Sequence, residues 1–123
     1  IGLIPPIGTT QALARLIGRP RAIRYLYDGQ LISAKDALAW GMVDELVPRA
    51  ALRAHVQAYA ESLAAKPAQA LKAIRYTITE GGTLPFRRGL EIEREEVIRL
   101  AGTPDFHEGV SAFIEKRKPR FED

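Results

Sequence analysis

The sequence contains no cysteine among its 123 residues, which excludes a disulfide framework, a thiolate metal site and a cysteine nucleophile by inventory. Its two histidines, His55 and His107, stand at no spacing that suggests a zinc site. Apolar runs are broken within a few residues by Arg, Asp, Glu or Gly, whereas a membrane span needs about 20 continuous apolar positions, so no membrane partner is expected. The first ten residues carry no basic region, no extended apolar core and no initiator Met. They do not read as a signal peptide, a cytoplasmic location is expected, and so abrupt a start suggests a piece of something longer.

What is present is globular. Hydrophobic residues make up 46% and charged residues 27%, enough apolar side chain to argue against whole-chain disorder. The length lies within the roughly 100–200 residues of one domain. A net charge of +3 favours a polyanionic ligand without choosing between nucleotide phosphates and nucleic acid.

Helical spacing dominates, and the spacing with its start and stop residues predicts seven helical stretches and little strand. Ile1 to Gly8 suits a buried strand end turning into a Pro-Pro loop. Thr9 or Thr10 then caps a helix carrying Leu13, Leu16 and Ile17, which stops at Gly18. A second helix from Pro20 carries Ile23, Leu26 and Tyr27 and ends at Asp28-Gly29; Ser33 caps a third, closed by Trp40-Gly41. Met42 to Val47 is the one expected strand, ended by Pro48.

From Ala51 the pattern is helical only. The stripes are Leu52, Val56, Tyr59 and Leu63; then Leu71, Ile74 and Ile78; then Phe86, Leu90 and Val97; then Phe106, Val110, Phe113 and Ile114 behind a Thr103-Pro104 cap. Glu95 stands four residues before Arg99, a favourable helical ion-pair order. The composition shift at Pro48 divides an α/β-like segment, 1–48, from a helical subdomain, 49–123.

Five phrases occur in order: Gly2-Leu-Ile-Pro5, Gly8-Thr-Thr-Gln11, Ser33-Ala-Lys-Asp-Ala37, Gly41-Met-Val43 and Ser111-Ala-Phe-Ile-Glu-Lys-Arg-Lys118. Together they resemble the C-terminal half of the crotonase (enoyl-CoA hydratase/isomerase) family. That family has a Gly-x-Ile-Pro-Gly-x-Gly-Gly-Thr-Gln loop, an Ile-Ser-Ala-x-x-Ala helix, a Gly-Leu-Val strand and a closing Phe-x-x-Lys-Arg. The resemblance implies a mostly α chain: the last βα turn of a ββα spiral followed by a C-terminal helical oligomerisation subdomain. It also implies a parent enzyme acting on an acyl-CoA or enoyl-CoA thioester as substrate, without a prosthetic group, as a homo-trimer or hexamer.

The same resemblance implies that the oxyanion-hole amides stabilising a thioester enolate, and the two glutamates used by hydratases, lie upstream of Ile1. No catalytic residue is therefore expected here, and the chain alone should be inactive. Substrate contacts are expected at Pro6 and Ile7, in the loop that lines the acyl pocket, and at Phe113 and Lys116, which match positions that meet the adenine ring and a phosphate of CoA. Pro6 replaces a common Gly whose N–H helps hold water; lacking that donor, the loop leaves room for isomerase or other family chemistry beside hydration.

Each position also has a plainer account. Pro6 and Ile7 suit a stiff turn, Phe113 a core stripe, and Lys116 a helix-end charge favoured by the dipole. Arg15, Arg19, Arg21 and Arg24 are expected to face water, and Trp40 to anchor packing. Two other function classes stay open: a non-catalytic helical oligomerisation module, and a small basic nucleic-acid-binding protein motivated by the Lys116 to Arg120 run. The latter lacks an aromatic-interleaved basic patch or a helix-turn-helix phrase, so no nucleic-acid partner is expected.

Overall fold

The computed structural model describes residues 2–121, which form seven α-helices, one 3₁₀ turn and no strand. The chain divides into two compact units, residues 1–52 and 53–123.

In the first unit α1 (Thr9–Ile17) and α2 (Arg19–Asp28) meet at Gly18, whose φ of 83° makes the corner. Gly8, rather than a threonine, occupies the N-cap of α1. The Thr9 hydroxyl is turned back instead, donating to the Pro6 carbonyl at 2.8 Å. Leu13 and Ile17 of α1 pack on Ala22 of α2, with Ala14, Leu26, Trp40 and Met42 around them. Ala22, not the expected Ile23 or Tyr27, is the buried residue of α2, because two helices in close contact leave room only for a small side chain at the crossing.

The third helix, α3 (Ala34–Ala39), begins as expected. The Ser33 hydroxyl accepts the Asp36 N–H at 3.1 Å and donates to its carboxylate at 2.6 Å, satisfying one of the helix's free amides. It ends in a Schellman turn: Gly41 is left-handed, and the N–H groups of Gly41 and Met42 donate to the carbonyls of Leu38 and Ala37. Trp40 is the packing anchor it was expected to be, edge-on to Tyr25 at 4.8 Å.

That turn removes the expected strand at 42–47. The Met42 amide is committed to the helix end, residues 42–44 bend, and no described segment lies alongside to supply a ladder. A strand exists only through such pairing. Residues 2–5 are likewise without regular structure, and Leu3 and Ile4 are exposed rather than buried; Ile1 lies outside the described residues.

The second unit holds nearly all of α4 (Leu52–Ala64), then α5 (Ala68–Thr79), the 3₁₀ turn Gly81–Thr83, α6 (Phe86–Ala101) and α7 (Pro104–Glu115). Pro67 and Gly81-Gly82 supply the breaks. A Cβ on Gly89 would lie 3.1 Å from the Gly81 carbonyl oxygen, so α6 approaches the 3₁₀ turn through paired glycines. Thr103 caps α7 by accepting the Phe106 N–H at 3.3 Å, with Pro104 in the first turn.

Burial in this unit falls on small residues, Ala73, Gly81 and Ala112. Phe86, Leu90 and Val97, read as inward-facing, are exposed. Their spacing puts them where an apolar face can form, but no second layer covers that face among the described residues of this unit. Arg99 also departs from expectation: it pairs with Glu96 at 2.7 Å rather than Glu95, and reaches Gln69 of α5 at 3.0 Å. The contact across to α5 draws the guanidinium to the Glu96 side.

Candidate functional site

The four expected contact residues fall as two pairs, one in each unit. Pro6 and Ile7 form the turn before α1. The Pro6 carbonyl accepts from both the N–H and the hydroxyl of Thr9. Ile7 and Gly8 stand at φ 60° and 76°, two successive left-handed positions as in a type I′ turn. Glycine takes that conformation freely, whereas a β-branched residue clashes there at a cost of roughly 1–2 kcal/mol. The Ile7 side chain recovers nothing from burial, being 99% exposed.

Immediately before this turn Leu3, Ile4 and Pro5 line a cleft of about 810 Å³ together with Arg15, Leu26 and Tyr27. Pro6 and Ile7 themselves are not among its wall residues. The basic cluster, Arg15, Arg19, Arg21 and Arg24, is exposed as expected, and three of the four also make contacts. Arg15 donates to the carbonyl and side chain of Gln11, Arg21 lies 5.0 Å over the Trp40 ring, and Arg24 stands 3.9 Å from Asp28. Such contacts hold guanidinium groups on their own helices and on aromatic faces.

In the second unit α7 carries Phe113 to its last turn, and Lys116 ends the helix in the left-handed region at φ 54°. The Lys116 N–H donates to the Phe113 carbonyl at 3.3 Å, and the Arg117 N–H to the Ala112 carbonyl at 3.0 Å. Phe113 is 85% exposed, not a core residue. It shares an apolar groove of about 390 Å³ with Pro67, Leu100, Phe106, Val110 and Phe121. Ile7 and Lys116 are the non-glycine residues with positive φ among those described.

Beyond Lys116 lies an ion-pair network that helical spacing does not predict. Arg117 grips Glu108 with both terminal nitrogens, at 2.6 and 2.8 Å, while its Nε reaches Glu115 at 2.6 Å. The Arg120 N–H donates to the same Glu108 carboxylate at 2.7 Å. A pair nine residues apart matches no helical period; it becomes close only because Lys116 turns the chain back. The Arg117 and Arg120 donors hold the Glu108 carboxyl down to about 2, from 4.5, and the carboxylates hold Arg117 above its usual range.

A depressed folded-state value means the Glu108 contribution is complete above about pH 4.5 and is lost as pH falls through about 2. The carboxyl carbon of Glu108, followed by NMR, should titrate with a midpoint near 2, and a midpoint near 4.5 would dissolve the clamp. Elsewhere, His107 lies edge-on to Phe106 at 5.8 Å. Among the described residues no group of three or more His, Cys, Asp or Glu is placed to hold a metal ion, and no helix is long and apolar enough to cross a membrane.

Comparison with known proteins meets the same family from both sides. The enoyl-CoA hydratase/isomerase family profile matches residues 1–123. The 1,2-epoxyphenylacetyl-CoA isomerase of Escherichia coli K12 is 39% identical over 122 residues, 98% of this chain and 46% of that protein. The 2,3-dehydroadipyl-CoA hydratase of the same organism is 32% identical over 121 residues, 98% of this chain and 48% of that protein. The solved enoyl-CoA hydratase of Bacillus anthracis superposes with a TM-score of 0.92 at 35% identity, over 98% of this chain and 46% of the other. The chain thus spans about half the length of the curated relatives it matches, and it belongs to the enoyl-CoA hydratase/isomerase, or crotonase, family.

Proposed function

We propose that this chain is the C-terminal part of a crotonase-type enzyme acting on a CoA thioester, to which it contributes binding surface rather than catalytic groups. The Pro6-Ile7 turn forms part of the acyl-pocket wall. Phe113 offers its exposed ring to the adenine, and Lys116 supplies a point charge to a CoA phosphate. The exposed apolar faces of α4 and α6, with Val56, Tyr59, Phe86 and Val97, are suited to burial in a homo-trimer or hexamer.

The observation that carries this reading is the coincidence of strain with expected contact. The left-handed non-glycine residues, Ile7 and Lys116, each belong to one of the two expected contact pairs. Backbone strain of roughly 1–3 kcal/mol per residue persists where the surroundings over-determine it, and it clusters at ligand clamps. A purely structural helical module accounts for the exposed apolar faces and for a left-handed helix end at Lys116, but not for the strain at the fully exposed Ile7.

Within the proposed site Pro6 has no N–H to hold a water, which favours isomerisation or a related proton transfer over simple hydration. In the full-length enzyme, Lys116→Ala should raise KM for the CoA thioester about tenfold, the loss of one charge-assisted phosphate contact, with kcat little changed. An unchanged KM would remove Lys116 from the binding surface.

A further inference from the structure

The tail after α7 is tied back by one carboxylate. Glu108, on the second turn of α7, receives both terminal nitrogens of Arg117 and the backbone N–H of Arg120. Phe121 then lies over Gly109, where an added Cβ would stand 3.8 Å from its ring, and walls the same groove as Phe113. Lys116 is therefore bracketed. Helix α7 fixes its amide and the Glu108 clamp fixes the residue that follows.

A lysine has no intrinsic reason to stay left-handed at a helix end where glycine is preferred. Something on its C-terminal side must hold it there. Isolated surface ion pairs do little, but this one is a two-pronged guanidinium–carboxylate contact reinforced by a third donor, and its side chains are 40% and 24% exposed. Fork geometry of this kind fixes direction as well as distance.

We propose that Glu108, acting through Arg117, is a positioning residue for the nucleotide end of the CoA thioester: it keeps Lys116 in its left-handed turn and Phe121 against the groove of Phe113. The inference rests on the proposed role of Lys116, and it assigns Glu108 no contact with the reacting atoms. A glutamine at 108 keeps the shape but loses the charge and one of the two acceptor oxygens. A lysine at 117 keeps the charge but loses the fork.

The test uses the full-length enzyme, with a CoA thioester and the matching pantetheine thioester, which lacks the nucleotide. Glu108→Gln and Arg117→Lys should each raise KM for the CoA thioester about fivefold and leave kcat and the pantetheine KM unchanged. Glu108→Gln combined with Lys116→Ala should raise the CoA KM by less than the product of the two single effects, because part of the Glu108 effect runs through Lys116. If both single variants leave the CoA KM unchanged while Lys116→Ala raises it, the positioning role is overturned and the Lys116 contact stands. Equal losses on both thioesters, or a fall in kcat, would mean general structural damage and would overturn it too. A silent Lys116→Ala removes the underlying reading of the site, and this inference with it.

Discussion

Given an enoyl-CoA thioester, chain 1–123 on its own should show no turnover above the uncatalysed reaction, a deficit of about 10⁶-fold or more against a working enzyme. General acid–base catalysis needs a group tuned towards the working pH, usually by burial, and no charged or polar side chain is buried among the described residues. Glu108 moves the wrong way for a general acid and is committed to Arg117. Asp28 and Asp36 are engaged with Arg24 and Ser33. Turnover followed by loss of the conjugated enoyl absorbance, with purified chain at high concentration, checks this. A measurable rate would move catalytic groups into these residues and displace the binding role proposed for them.

Local features of the fold were legible because their causes are local. Glycine at Gly18, Gly29 and Gly41, serine at Ser33 and Thr103-Pro104 act through φ freedom or a side-chain hydrogen bond within four residues. What failed was non-local. A strand at 42–47 requires a neighbour, the inward face of α6 requires a covering layer, and the choice between Glu95 and Glu96 was settled by Gln69 on another helix. Spacing shows which residues share a face but not what that face meets.

The site was legible to a similar depth. Phe113 and Lys116 came from a resemblance, and the structure adds that their peptide groups are hydrogen-bonded and that Lys116 is left-handed. Glu108 was invisible, since its partner lies nine residues on, beyond a turn that no composition rule marks with a lysine. The left-handed Ile7 had the same cover: a β-branched residue is the last type from which a positive φ would be inferred.

Leu13 and Leu16 separate the two kinds of information by experiment. Sequence spacing treats them alike, as members of one stripe, but Leu13 is 9% exposed in the core of the first unit and Leu16 is 52% exposed. Leu13→Ala removes apolar contact and leaves a cavity, a loss of about 2–4 kcal/mol. Leu16→Ala gives up only part of a half-hydrated side chain and should cost less than about 1 kcal/mol. At roughly 1–2 kcal/mol per molar urea for a chain of this size, Leu13→Ala should lower the unfolding midpoint by roughly 1–4 M. Ala22→Leu tests the same core from the other side. With the alanine 1% exposed and packed on Leu13 and Ile17, three added carbons crowd the contact between α1 and α2, and overpacking should cost about 1–3 kcal/mol. Equal losses from Leu13→Ala and Leu16→Ala would show that the stripe is buried as a whole and that the α1–α2 contact is not the core of this unit.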